Sequence, residues 1–243
     1  MIATLFAFAI VTTHVAAEIP SYIHVCGRKD PNYDQCITDN INNVKDKICS
    51  GMSEFNILPI EPAIIDKIII YDTDNLKLSV KDIKISGFCD FIINFVHTDS
   101  EKLHFNFDVL FKHLFMNATY DFDVRVLVSL ANKGLIYISS DNVNGKINLD
   151  LNVVTKDGKK YIYASKANTN LNIKTYDYKF DDSEKNMVEL HKILSDTIKQ
   201  NEKEIFDKII PALEEKVSKI IIPFFNNITY SKYEELFPEE VKK

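Results

Sequence analysis

Leu103-His104-Phe105-Asn106-Phe107-Asp108-Val109-Leu110-Phe111 sets apolar side chains against polar ones almost one for one. Successive side chains on a strand point to opposite faces, so the stretch predicts a long strand with one wet face and one apolar face. The pattern recurs on both sides of it. Upstream, Leu76, Leu78 and Val80 alternate with polar residues, and Ile83 and Ile85 resume on the other parity. That switch predicts a bulge near Lys81-Asp82. Gly87 closes the run, and Phe91, Ile93 and Phe95 continue it. Downstream, Tyr120, Phe122, Val124, Val126 and Val128 alternate with Asp121, Asp123, Arg125 and Leu127, and Ile147, Leu149, Leu151 and Val153 do the same. Asp157-Gly158 is a hairpin signal. Tyr161, Tyr163, Leu171 and Ile173 are assigned to the next two strands, and Tyr176, Tyr178 and Phe180 flip parity once more. The sum is one long antiparallel sheet with a single apolar face.

The period then changes. From about Ser183 to Ile222, Met187, Leu190, Leu194, Ile198, Ile205, Ile209, Leu213, Val217 and Ile220 recur at helical spacing. Ser183 is placed to cap the start, Asp181-Asp182 complement the dipole there, Pro211 should kink the helix and Pro223 marks its end. A helix of roughly 40 residues reaches about 60 Å. A shorter N-terminal helix is predicted from Asp30 as cap and Pro31 as first residue. Ile37, Ile41, Val44 and Ile48 lie on its one apolar face, and Gly51 is its stop. Ile57-Leu58-Pro59-Ile60-Glu61-Pro62 reads as a turn-rich connector.

The sheet has an apolar face to hide, and the long helix has an apolar stripe about as long as the sheet is wide. Rolling the sheet around the helix hides both. The expected fold is therefore α+β: a long C-terminal helix wrapped by a highly curved antiparallel sheet, with a short N-terminal helix. A cylinder inside so large a tube leaves gaps lined by Phe, Ile, Leu, Val and Tyr, room for an elongated apolar molecule. A fully packed core is the alternative.

Residues 1–17 carry no charged side chain, and Ile2–Val11 has the length of a signal-peptide core, too short to span a bilayer. Val15-Ala16-Ala17 fits a cleavage site, so 1–17 is read as a signal peptide and 18–243 as one secreted domain. No later run of about 18 apolar residues follows, so no stable membrane insertion is expected. The net charge is −6 with acidic and basic residues interspersed, which disfavours nucleic acid as a partner. Four cysteines in a secreted chain allow three pairings. Cys26 and Cys36 are the short-range pair, while Cys49 and Cys89 either form a second bridge or remain buried thiols. Asn117-Ala118-Thr119 and Asn227-Ile228-Thr229 are acceptor triplets for N-glycosylation.

Several blocks carry a resemblance when taken in order. Tyr22-Ile23 runs through Cys26, Arg28, Asp30-Pro31 and Cys36-Ile37. Gly51-Met52-Ser53-Glu54-Phe55-Asn56-Ile57 leads to Ile60-Glu61-Pro62. Asp82-Ile83-Lys84-Ile85-Ser86-Gly87-Phe88 continues to Ile93, and Leu236-Phe237-Pro238 lies near the end. Together they resemble the insect juvenile-hormone-binding and takeout family of secreted carriers, whose fold is related to the tubular lipid-binding domains. The resemblance implies non-covalent carriage of a juvenile hormone-like terpenoid or fatty-acid-like lipid in extracellular fluid. In some members it implies a link to circadian or feeding regulation.

Catalysis finds little support. There is no Gly-x-Ser-x-Gly, and His24, His97, His104, His113 and His191 are scattered without metal-ligand spacing. His104 and His113 fall in strands, where solvent-facing or locally bonded roles are expected. Six glycines and no phosphate-cradling loop argue against a nucleotide enzyme. No catalytic residue, metal or cofactor is expected, and the expected partner is a small hydrophobic ligand held in the interior of a monomer. The ligand-binding candidates are the inward strand positions Phe105, Phe107, Tyr120, Phe122, Val124 and Val126, with Leu190 and Leu194 from the helix. Tyr120 is expected to offer its hydroxyl to an ester, epoxide or acid. The competing reading is a secreted interaction protein with a closed core, its receptor unknown. A hydrolase with an unrecognised site is a third.

Overall fold

The computed structural model describes residues 19–125, 129–181, 187–230 and 232–241. The leader, Val126, Val128, Asp182 and the Ser183 cap lie outside the described residues. Seven strands form one antiparallel sheet: β1 (Ala63–Asp72), β2 (Leu76–Ser86), β3 (Phe91–Asp99), β4 (His104–Arg125), β5 (Ser129–Lys156), β6 (Lys159–Asn172) and β7 (Asp177–Phe180). The helices are α1 (Tyr33–Ser50), α2 (Val188–Gln200), α3 (Glu202–Thr229) and α4 (Tyr233–Leu236).

The spine is the β4–β5 hairpin, paired in one register from His104↔Asp150 to Arg125↔Ser129. Each spine strand is long enough to serve two neighbours. The outer edge of β4 pairs first with β3 and then with β2; that of β5 pairs first with β7 and then with β6. The sheet order β1-β2-β4-β5-β6 makes β1 and β6 its extremes. Both touch α3, so the sheet is curled round the helix.

Bends in the strands sustain that curl. The expected bulge near Lys81-Asp82 is present as a register shift between Lys81 and Lys84, with Asp82 at φ 51°. On the spine, inward parity passes from Phe111 to Leu114 across exposed Lys112 and His113. The facing strand changes side across Asp141 and Asn142, the latter at φ 52°. Because both strands flip together, their register survives and the inner face stays apolar on either side of the bend.

Edge strands need their unpaired backbone groups satisfied. Along β3, the Thr98 N–H donates to Asp34 Oδ1 (3.1 Å), and Asn42 accepts from the Ile93 N–H (3.1 Å). Along β6, the Ala164 N–H donates to Asn226 Oδ1 (2.6 Å) and the Leu171 N–H to Glu214 Oε1 (2.7 Å). Polar side chains of α1 and α3 thus stand in for missing strands.

Cys26–Cys36 and Cys49–Cys89 are both disulfides, with Cα separations of 6.0 and 5.5 Å. Residues 28–29 meet residues 238–239 beside the first, where the Arg28 N–H donates to Pro238 O (2.9 Å) and the Lys29 N–H to Glu239 O (3.0 Å).

The structure corrects four local expectations. The first helix begins at Tyr33, because Asp30 is used in a preceding turn, its Oδ1 accepting from the Asn32 N–H at 2.8 Å. A shift between Ile93 and Phe95 turns Phe95 outward and gives its inward place to Val96. Lys159–Asn172 is one strand rather than two, and a shift at Asp150/Leu151 buries Ile162 in place of the tyrosines beside it. The C-terminal helix is broken at Asn201, whose Nδ2 and backbone N–H both reach the Thr197 carbonyl, and it runs on through Pro223 to Thr229.

Candidate ligand cavities

Two hollows lie between the concave face of the sheet and the helices. The first, about 450 Å³, is lined by β1, β2, the second half of β4, the start of β5, β7, α2 and the front of α3. Its wall includes Ile65, Val80, Ile136 and Phe180 from the sheet and Ile198, Ile205, Ile209 and Leu213 from the helices. The second, about 390 Å³, lies between α1, β3, the first half of β4, the far half of β5 and the back of α3. Ile37, Ile41 and Ile48 of α1 face Phe91, Leu149, Phe224, Phe225 and Phe237 across it. Both walls are almost wholly apolar, as alternation on the strands and the helical stripes dictates.

The candidates divide between the two. Tyr120, Phe122 and Leu194 line the first cavity, and Phe105 and Phe107 the second. Val124 and Leu190 pack against the core beside the first cavity but are not part of its wall. The structure therefore does not bring the candidates to one place. It sets them in two chambers at opposite ends of the spine.

Tyr120 differs from expectation in an instructive way. Its hydroxyl donates to Asn132 Oδ1 (2.6 Å) and stands 2.9 Å from His191 Nε2. With its one proton given to the amide, the phenol accepts from the imidazole N–H. His191 is buried and stacks on Phe180, the centroids 4.8 Å apart at 14°. The ring of Tyr120 faces the cavity while its polar tip is held by this triad. Gly134, opposite it on β5, is required by contact: a Cβ there would lie 2.7 Å from the hydroxyl oxygen.

Polar groups reach the first chamber mainly at the α2–α3 break, through Thr197, Asn201, Glu202 and Glu204. Two tyrosines flank that break. Tyr176 is pushed up to about 12, first by burial and then by its hydrogen bond to Glu202, and its ring meets Phe206 edge-on at 4.8 Å. Burial, then the Glu204 charge, raises Tyr71, over whose ring the Lys208 ammonium sits 4.5 Å from the centroid. Elsewhere, His104 is bonded to Asp150 and Asn106, and His113 to Asp141. These are local strand-surface pairs that do not face either cavity. Among the described residues no group of three or more His, Cys, Asp or Glu could hold a metal ion, and no helix is long and apolar enough to cross a membrane.

Sequence patterns passed over Asn132, Gly134, His191 and the aromatic wall of Phe224, Phe225 and Phe237. The helix was expected to stop at Pro223, which put the first two beyond it. Phe237, buried against Phe105 at 6.2 Å, was legible only as part of Leu236-Phe237-Pro238.

A rolled antiparallel sheet, a C-terminal helical segment against its concave face and two apolar hollows between them define a tubular α+β fold. The chain matches the family "Haemolymph juvenile hormone binding protein (JHBP)" over residues 4–238, and it belongs to that family. Among solved structures it is similar to Takeout 1 of Epiphyas postvittana, with a TM-score of 0.64 at 17% identity, covering 82% of this chain and 94% of that one. A lipopolysaccharide binding protein is more distantly similar, with a TM-score of 0.44 at 11% identity over 82% of this chain and 39% of that one. No curated protein sequence matches the chain.

Proposed function

We propose that the protein is an extracellular carrier that takes a small hydrophobic molecule into its interior without chemical change. The ligand class is a juvenile hormone-like terpenoid or a fatty-acid-like lipid. The observation that carries this reading is the pair of apolar hollows lined by sheet and helices. Interiors are normally packed to the density of organic crystals, and unfilled space on this scale costs stability unless something occupies it. Both hollows fall in the size range of ligand sites. Membership in a family described as juvenile hormone binding agrees with it. The leader, the two disulfides and the haemolymph of the family's description support secretion. A link to circadian or feeding regulation comes from the family resemblance alone.

Phe105, Phe107, Tyr120, Phe122 and Leu194 would make the apolar contacts. The chain has no tryptophan, so Phe122→Trp places a single reporter in the first chamber. Adding a fatty acid or a terpenoid ester should shift its emission saturably. Emission unchanged while equilibrium dialysis shows the ligand bound would remove Phe122 from the site, and no binding by dialysis would remove the carrier reading.

A further inference from the structure

We propose that Phe88, braced against Phe111, is a septum that makes the interior two chambers rather than one tunnel and so sets the length of ligand accepted. The inference rests on the carrier reading and adds its selectivity. The two cavity walls share only five residues: Ala63, Phe88, Phe111, Val217 and Ile220. Val217 and Ile220 lie three residues apart on α3, and Phe88 and Phe111 line both cavities with them. The rings meet edge to face, 5.6 Å between centroids at 85°. Phe88 packs against the apolar core of both ends of the molecule.

The ring is also held in place by its backbone. Gly87 before it has φ 95° and is pressed onto β4 so closely that a Cβ would lie 2.0 Å from the His113 carbonyl oxygen. Cys89 after it is bonded to Cys49 at the end of α1, and its N–H donates to Glu61 Oε1 at 2.6 Å. Phe111 sits at the bend of the spine, where a Cβ on Gly145 would meet its ring at 3.3 Å. Only side-chain rotation is left to open the passage. A ligand longer than one chamber must displace a ring or leave its tail in water, a loss of about fourfold in affinity for each methylene left out.

The test uses delipidated full-length protein and displacement of anilinonaphthalene sulfonate by lauric and by lignoceric acid, with bound molecules counted by native mass spectrometry. The wild type should take lauric acid, up to two molecules per chain, and lignoceric acid at least tenfold more weakly. Phe88→Ala should recover that tenfold for lignoceric acid and hold a single molecule. If Phe88→Ala does not fold, Phe88→Leu should narrow the ratio in the same direction. Equal affinity of the wild type for both acids, or a ratio unmoved in the Phe88 variant, overturns the septum and leaves carriage standing. Uptake of neither acid by the wild type removes carriage and the septum with it.

Discussion

A few residues decide how this interior is finished. Tyr120 has the alternation of a core residue and the hydroxyl of a ligand contact, and in the structure its ring lines the first cavity while its hydroxyl is bonded inside the fold. Its polar end is held by Asn132 and His191, and the small Gly134 makes room for its ring. Two other tyrosines carry a measurable consequence. Tyr22 and Tyr176 are each pushed up to about 12, in both cases first by burial and then by a hydrogen bond to a carboxylate, Glu54 and Glu202. In the unfolded chain both return to an ordinary value of 10.0. A phenol whose folded value is raised contributes stability that is fully present below the unfolded value and is lost as pH rises through the folded one. Denaturation midpoints should therefore fall between about pH 10 and 12, and part of that fall should vanish in Tyr176→Phe. An identical pH profile in the variant would show that Tyr176 contributes nothing to it.

At the level of elements, the strands and the helical period were legible because both are periodic signals set by which side faces the core. The bulge at Lys81-Asp82 announced itself as a change of parity within one strand. The bend at Lys112-His113 is different: its register is kept only because Asp141-Asn142 flips with it, and a compensating flip on the facing strand is not written in either strand alone. The same holds for Asp34, Asn42, Glu214 and Asn226. On an amphipathic helix they look like solvated residues, yet they complete the edges of β3 and β6. The Asn201 break was hidden because the apolar stripe continues across it. Cys49–Cys89 spans 40 residues of sequence and Cys26–Cys36 spans 10. In the chain-entropy model the longer loop should stabilise by about 1 kcal/mol more. Paired Cys→Ala variants compared by urea denaturation check this, and a larger loss from the short loop would contradict it.

For the molecule as a whole, the notable property is room. The sheet is bent around a helix that does not fill it, and residues 28–29 are clasped to residues 238–239 beside one of the disulfides. The tubular form followed from two apolar surfaces of matching length, but the division of its interior did not. That division depends on where the rings of Phe88 and Phe111 meet in space, which no periodicity reports. On the carrier proposal the hollows exist to be occupied. Native mass spectrometry of the protein isolated from its native source, followed by organic extraction, is the sharpest test of that occupancy. A small apolar molecule should leave the protein on extraction and return on mixing. A protein that carries nothing as isolated and takes up no apolar molecule when offered one would contradict it.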